Sequence, residues 1–456
     1  MSNQLKIEAK LLKNGIAIYF KANEYKIVYP EAIWKNVPDS LKQTLLDNIC
    51  VASTLHLPMV FDRITEMNFS TARPYLEPYF IQNFLYDIPS VTEVDQINTD
   101  MAIRKFLQLK LNYSENNIKF PENIPVNGNK AIISMSFGKD SLLTYAVADE
   151  IGLDPEMCYF IEESMKYEQK HKEKLAEGFK KEFGKSLYII NHETGKLRDY
   201  DHLGLPKSEF GWGMQNTEYM LELLPFAISL NAPYIFFGNE QTTSASYMDA
   251  ENKWRIYPCY DQTHLWTKQL DQISLSLTGR SVHTGSLIEP LMDMMIQRIL
   301  IRRYPAYAKY QMSCFTETEA GKDYHWCHSC NVCAKMYLLA KASGMDPRKI
   351  GLQKSMLEKE HRAFFTLFGG SSSLTYLNTS QARDEQLFAF YLLTKQNDSS
   401  PLVQKFKELE LYNEAKEREE ELYKTFCSLY ESITIPKKLK NSVIEIYKEE
   451  LEQFEI

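Results

Sequence analysis

The chain has 456 residues, 44% hydrophobic and 12% aromatic, enough for a large core spread over two or three domains. Its formal charge of −8 speaks against general nucleic-acid affinity, which needs a concentrated basic surface that releases counterions. The N-terminal run MSNQLKIEAKLLKNG lacks the apolar segment of a signal peptide, and no uncharged apolar run is long enough to cross a bilayer. A cytoplasmic location is therefore expected, where eight cysteines read as metal binding or catalysis rather than as a disulfide framework.

Residues 1–125 begin with the β-like runs IAIYF and YKIVY, followed by an amphipathic stretch from Ser40 to Leu55 and then irregular, Pro-punctuated sequence. This predicts a small α+β domain, closed by a connection over Asn123–Asn129. From Ala131 the character changes: the short apolar run AIISM, the loop SFGKDS, then a helix with Leu142, Leu143, Ala146 and Ile151 on one face, stopped by Gly152. MCYFI, a charged helix from about Lys166 to Phe183, LYII, a helix from about Thr217 to Leu230, and YIFFG continue the alternation. Strands alternating with helices predict an α/β fold, a doubly wound parallel sheet covered on both faces, over 126–347. After Pro347 the runs EQLFAFYLL, QKFKELELYNEAKEREEELYKTFCSLYESI and SVIEIYKEELEQF predict a helical region over 348–456, preceded by a GGSSS loop.

In such sheets ligands bind beyond the carboxyl ends of strands, where SFGKDS falls. A phosphate needs backbone N–H groups, close main-chain approach at Gly138, hydroxyls such as Ser136 and Ser141, and the positive end of the following helix. Lys139 adds charge, and Asp140 suits a hydroxyl or Mg2+. The spacing is neither that of a Walker loop nor of a dinucleotide G-x-G-x-x-G. The second signal is Cys314, Cys327, Cys330 and Cys333: two overlapping C-x-x-C steps and a returning fourth thiolate describe a closed, structural Zn2+ site. An iron–sulfur cluster and a redox dithiol are the alternatives, although the Cys-Pro that commonly ends cluster runs is absent. Cys50, Cys158 and Cys427 read as buried hydrophobes, whereas Cys259, in YPCYDQ, falls in a loop that a site could use.

SFGKDS resembles the S-G-G-x-D-S loop of the PP-loop (HUP-like) ATP pyrophosphatases, with Phe137 in place of the first glycine. With the four cysteines downstream, and with GMQNTEYMLELLPFAISLNAPYIFFGNE, SLIEPLMDM and KASGMDP, the chain resembles the 7-cyano-7-deazaguanine synthase family of queuosine biosynthesis. The resemblance covers roughly Ala131 to Pro347, less than half of the chain. IEESMKYEQ replaces the usual Tyr-Gly-Gln run, and Tyr257, Pro258, Cys259 and Asp261 only echo a Gly-Tyr-Pro-Asp-Cys-Arg run.

The resemblance implies a ligase: the carboxylate of 7-carboxy-7-deazaguanine attacks ATP, pyrophosphate leaves, and an amine displaces AMP. With ammonia the product is an amide, which a second ATP converts to the nitrile. Carried over, Ser136, Phe137, Gly138, Lys139, Asp140 and Ser141 would cradle pyrophosphate with Mg2+, with Lys139 and Asp140 in the catalytic role, and Asn216, Asn239 and Glu240 would line the substrate pocket. For these last three, plain capping and loop roles stand beside the functional one. The helical extension covers the sheet, forms a homodimer, or shapes a channel for a larger acceptor. Family-like proteins with such extensions occur beside antiviral systems, which makes a protein amine a second acceptor to consider. A tRNA thiolase and a non-catalytic zinc-containing scaffold are the competing readings, the first disfavoured by the acidic balance.

Overall fold

The computed structural model describes residues 3–161, 167–316, 319–370 and 375–454. Part of IEESMKYEQ, the predicted start of the charged helix at Lys166, and Ser371–Ser373 of the GGSSS run lie outside the described residues. Three strands open the chain: β1 (Gln4–Leu12), β2 (Gly15–Phe20) and β3 (Asn23–Val28). Helix α1 (Asp39–Ala52), β4 (Glu66–Ala72), α2 (Glu77–Val94) and β5 (Lys110–Glu115) follow.

The stretch expected to be irregular thus holds two strands and an 18-residue helix. Pro78 sits in the first turn of α2, where no N–H is missed, but Pro89 lies inside it. An interior proline costs about 3 kcal/mol of helix propensity. Burial of Phe80, Phe84, Ile88 and Val91 outweighs that cost, a tertiary gain that local sequence does not announce.

The core alternates as expected through β6 (Lys130–Ser134), α3 (Lys139–Glu150), β7 (Asp154–Ile161), α4 (Glu168–Phe183), β8 (Leu187–His192), α5 (Gln215–Ser229) and β9 (Tyr234–Phe236), and a further pair absent from the predicted elements, α6 (His264–Leu277) and β10 (His283–Gly285), completes it. Then come α7 (Asp293–Arg303), α8 (Asn331–Ala342), α9 (Ser380–Lys395) and α10 (Lys440–Glu452). Between α9 and α10 the long Glu/Lys-rich run is broken into three short helices, Pro401–Lys407, Glu410–Glu417 and Glu419–Phe426.

One ten-stranded sheet holds all these strands in the order β10-β9-β6-β7-β8-β3-β2-β1-β4-β5. The five core strands are parallel, with Ile133 opposite Met157 on β7 and Ile132 opposite Ile235 on β9. The N-terminal strands extend the same sheet: Ile27 and Val28 of β3 pair antiparallel with His192 and Asn191 of β8. The sheet is therefore mostly parallel rather than wholly so, because a two-residue turn between β1 and β2 allows only antiparallel pairing.

The two faces of the sheet have different coverings. Ala131 and Ile133 of β6 pack with residues of α3, α7, α8 and the C-terminal helices, while Ile132 faces α5, α6 and the N-terminal helices. The two-residue side-chain period of a strand makes this division. No helix among the described residues is long and apolar enough to cross a membrane.

Candidate functional site

The chain leaves β6 toward β7 and β8 on one side, while β9 and β10 lie on the other. The carboxyl ends of β6 and β9 therefore flank a topological switch point, the place where open α/β sheets bind ligands. The loop 136–138 follows β6, and Gly238–Glu240 follows β9. A Cβ on Gly238 would lie 2.7 Å from Cβ of Asp140, so the absence of a side chain lets the two loops close on each other.

Phe137 occupies the left-handed region with φ 57°, the conformation for which a glycine would be ordinary. Such a backbone costs an L-residue about 1–2 kcal/mol. The ring compensates by complete burial, with its edge against Phe179 at 6.1 Å between centroids. The loop thus keeps the turn while anchoring it in the core. Ser136 Oγ and Ser141 Oγ lie 3.2 Å apart, and Ser141 Oγ accepts the Ser136 amide at 3.2 Å. Lys172 of α4 donates to the Ser136 carbonyl and to that of Met312 at 3.4 Å, and Met312 N–H donates to the Phe137 carbonyl at 2.6 Å. Gly138 is the residue before α3, and no side chain caps that helix start.

A cavity of about 420 Å³ opens over these elements. Ser136, Gly138, Lys139 and Asp140 form one wall, Gly238, Glu240 and Thr242 a second, and Ser313, Cys314 and Lys335 a third. Its floor is a buried ion network. Lys139 Nζ lies 2.5 Å from both Asp140 Oδ1 and Asp293 Oδ1, and Lys335 pairs with the other Asp293 oxygen and with Glu385 at 3.6 Å.

Burial works against the Lys139 charge, but Asp140, Asp293 and Glu240 outweigh it and hold the ammonium well above its ordinary value. Burial likewise opposes the Asp293 charge, yet Lys139 and Lys335 hold that carboxyl below the usual range. Glu240 is pushed well above its ordinary value by burial and by Asp293, and burial raises Glu385 to about 7. Asp140 is raised, burial exceeding the attraction of Lys139. The cavity thus sets ammonium groups held charged beside carboxyls, Asp140 and Glu240, whose ionisation burial opposes.

The expected site residues divide. Ser136, Gly138, Lys139, Asp140 and Glu240 line the cavity; Phe137 lies beneath it; Ser141 turns its hydroxyl back into the loop. Asn216 and Asn239 meet each other at 3.3 Å but stand outside the cavity lining, fixed to Asp261 and Thr267. Cys259 does line the cavity, whereas Cys50, Cys158 and Cys427 are buried. Lys172, Asp293, Lys335 and Glu385 were not singled out in sequence. Asp293 is the last residue but one of the quoted run SLIEPLMDM and Lys335 follows the last cysteine by two, but Glu385 sits in a helix that carries no motif.

The four cysteines converge, their sulfurs all within 4.8 Å of one another. Cys314 and Cys330 are 3.9 Å apart, and Cys327 and Cys333 3.7 Å. Four thiolates at about 2.3 Å from a tetrahedral metal stand about 3.8 Å apart, so the set fits Zn2+. Thr316 and His328, both at positive φ, open the two turns that follow Cys314 and Cys327, and the Thr316, Ser329 and Cys333 amides donate to sulfur at 3.3–3.4 Å. Neither His325 nor His328 belongs to the set. Because Cys314 also lines the cavity, a bound metal would hold that wall.

No family model matches the chain, and no curated protein matches it.

Proposed function

We propose that the chain is an ATP-dependent ligase of the PP-loop type that converts a carboxylate, 7-carboxy-7-deazaguanine, to its adenylate and passes the acyl group to an amine. The observation that carries this reading is the SFGKDS loop at the switch-point end of β6. It presents an uncapped helix start, a left-handed turn and Lys139 to one cavity.

In this reading the amides at the start of α3, with Ser136 and Gly138, receive the pyrophosphate portion of ATP, where negative charge gathers as it leaves. The substrate carboxylate oxygen attacks the α phosphorus, the bond from that phosphorus to the β-phosphate oxygen breaks, and pyrophosphate departs. The amine nitrogen then attacks the acyl carbon, the bond to AMP breaks, and the nitrogen gives up a proton. Lys139, kept charged by its carboxylate neighbours, sets the positive potential of the wall. Asp140 and Glu240 are the wall carboxylates that would hold Mg2+, whose charge offsets that of the phosphates. A metal held by Cys314, Cys327, Cys330 and Cys333 has no open position and would act as structure.

The test is ATP–pyrophosphate exchange with the acid and no amine. Exchange that appears with the acid, yields AMP and is lost in Asp140→Ala supports the reading. Release of ADP, or exchange indifferent to Asp140→Ala, overturns it.

A further inference from the structure

A second chamber, of about 150 Å³, adjoins the main cavity. Gln215, Cys259 and Gln262 line both. Asp87, Asp261 and Glu209 supply acid to it, and Val91, Trp212 and Pro258 supply apolar and aromatic surface. Asp87 comes from α2 in the N-terminal region, outside the segment that carries the family resemblance.

The carboxyl of Asp87 is the decisive group. The residue is 6% exposed, and its buried Oδ2 has no hydrogen-bond partner. A buried polar oxygen without a donor is costly, and one kept on a chamber wall indicates that the donor arrives with a ligand. Among the described residues no donor reaches this oxygen: the Arg198 guanidinium is bonded to Glu218 at 2.5 Å, and the neighbouring Asp261 Oδ2 accepts the Asn216 amide at 3.1 Å. Gly213 lies so close that a Cβ there would stand 2.2 Å from the Asp87 carboxyl, which packs the carboxyl against bare main chain.

We propose that this chamber binds the flat heterocycle of the acid substrate by its N–H donor edge, a ring N–H and an adjacent exocyclic amine, with Asp87 as the acceptor and Trp212 beside the ring. This assignment rests on the adenylation reading, since it places the ring next to the cavity in which the carboxylate would react. A carboxylate offers two coplanar oxygens, which match two adjacent N–H donors, and both interactions strengthen where water is excluded. Burial and the nearby Asp261 hold Asp87 well above its ordinary value, and burial brings Asp261 to about 7. A second negative charge beside Asp261 is therefore disfavoured, and a ligand that brings two N–H donors favours the ionised Asp87 carboxylate that accepts them. The volume suits one small ring system rather than a drug-sized molecule.

The experiment is calorimetric titration of the full chain with 7-deazaguanine, which cannot react, and with 7-deazahypoxanthine, which lacks the exocyclic amine. Saturable binding of the first, weakened about tenfold or more both by loss of the amine and by Asp87→Asn, is the expected result. Ser90→Leu, which fills the chamber from a wall position 7% exposed, should abolish binding and guards against a folding defect in the other variant. Equal binding of the two ligands, no binding, indifference to Asp87→Asn, or displacement of 7-deazaguanine by butylammonium would each overturn the assignment. Pyrophosphate exchange separates the two proposals. Exchange that persists while Asp87→Asn leaves the KM for the acid unchanged sinks the chamber alone; Asp87-dependent binding without exchange sinks adenylation alone.

Discussion

Both faces of the sheet bury charge, and they differ in how much of it the protein itself pairs. Under α3, α7 and α8, Lys139 and Lys335 share Asp293, and Glu385 reaches in from the C-terminal region. On the other face Asp87 has an oxygen without a partner, while His192, Glu218 and Glu222, close enough together to suggest a metal, have the Arg198 guanidinium among them. Where cations are built in, buried charge is neutralised by the protein itself and shapes a wall. Where a carboxyl is left bare, the balance must come from outside. The contrast teaches which buried acids read as scaffold and which as recognition.

The largest break would come from the metal. Chelation, or Cys327→Ser, should remove the constraint on residues 314–333, with a loss on the order of 10 kcal/mol if structural Zn2+ behaves as in small zinc peptides. Elemental analysis finding one zinc per chain, with chelator-dependent unfolding, checks it; a chain equally stable without metal contradicts it.

Next in size is Asp293→Ala, which leaves Lys139 and Lys335 without their shared partner. Removing one member of a buried ion network costs about 3–5 kcal/mol, read from the urea midpoint. An effect below about 1 kcal/mol, the range of exposed pairs, would mean that the network is solvated.

The opposite face can be probed by pH. His56 is buried, its Nε2 lies 2.9 Å from the Leu197 carbonyl, and burial lowers its pKa to about 4. An unfolded histidine takes its proton near 6.5, so the stabilisation is whole above that pH and is lost as pH falls through 4. The gap is worth about 3 kcal/mol at 1.36 kcal/mol per tenfold change. Thermal unfolding followed from pH 7 to 4 should show this loss, and His56→Gln should flatten it.

The smallest effect expected is at the loop. Phe137→Gly relieves about 1–2 kcal/mol of backbone strain but forfeits a buried ring whose loss to alanine costs about 3–5 kcal/mol. A net destabilisation of about 2 kcal/mol follows, measured by denaturation. A stabilised variant would show that the phenyl ring contributes little to the fold.

The alternation from β6 to β9 was legible because short apolar runs, helical spacing and glycine stops are local signals, whereas the three-residue β10 carries no such run. The cysteine set was legible for a related reason, since ligand spacing in a compact loop nearly fixes ligand geometry. The region 1–125 was less so: Pro89 argued against the helix that tertiary burial sustains, and nothing local announced that β3 would join β8. At the site, sequence pointed to Lys139 and Asp140 but not to Asp293, Lys335 or Glu385, which lie far apart in the chain. Asn216 and Asn239, which the resemblance places at the substrate, lie against each other at 3.3 Å, a contact between residues 23 apart that no local signal gives.

By itself, then, the sequence determined the elements of the core, the loop and the four thiolates, because each rests on neighbours within a few residues. Only the tertiary structure decided which charges face one another, which face of the sheet the termini cover, and that Asp87 stands bare beside the cavity. Those outcomes depend on burial and on pairing across long separations, and neither is encoded in any short window of the chain.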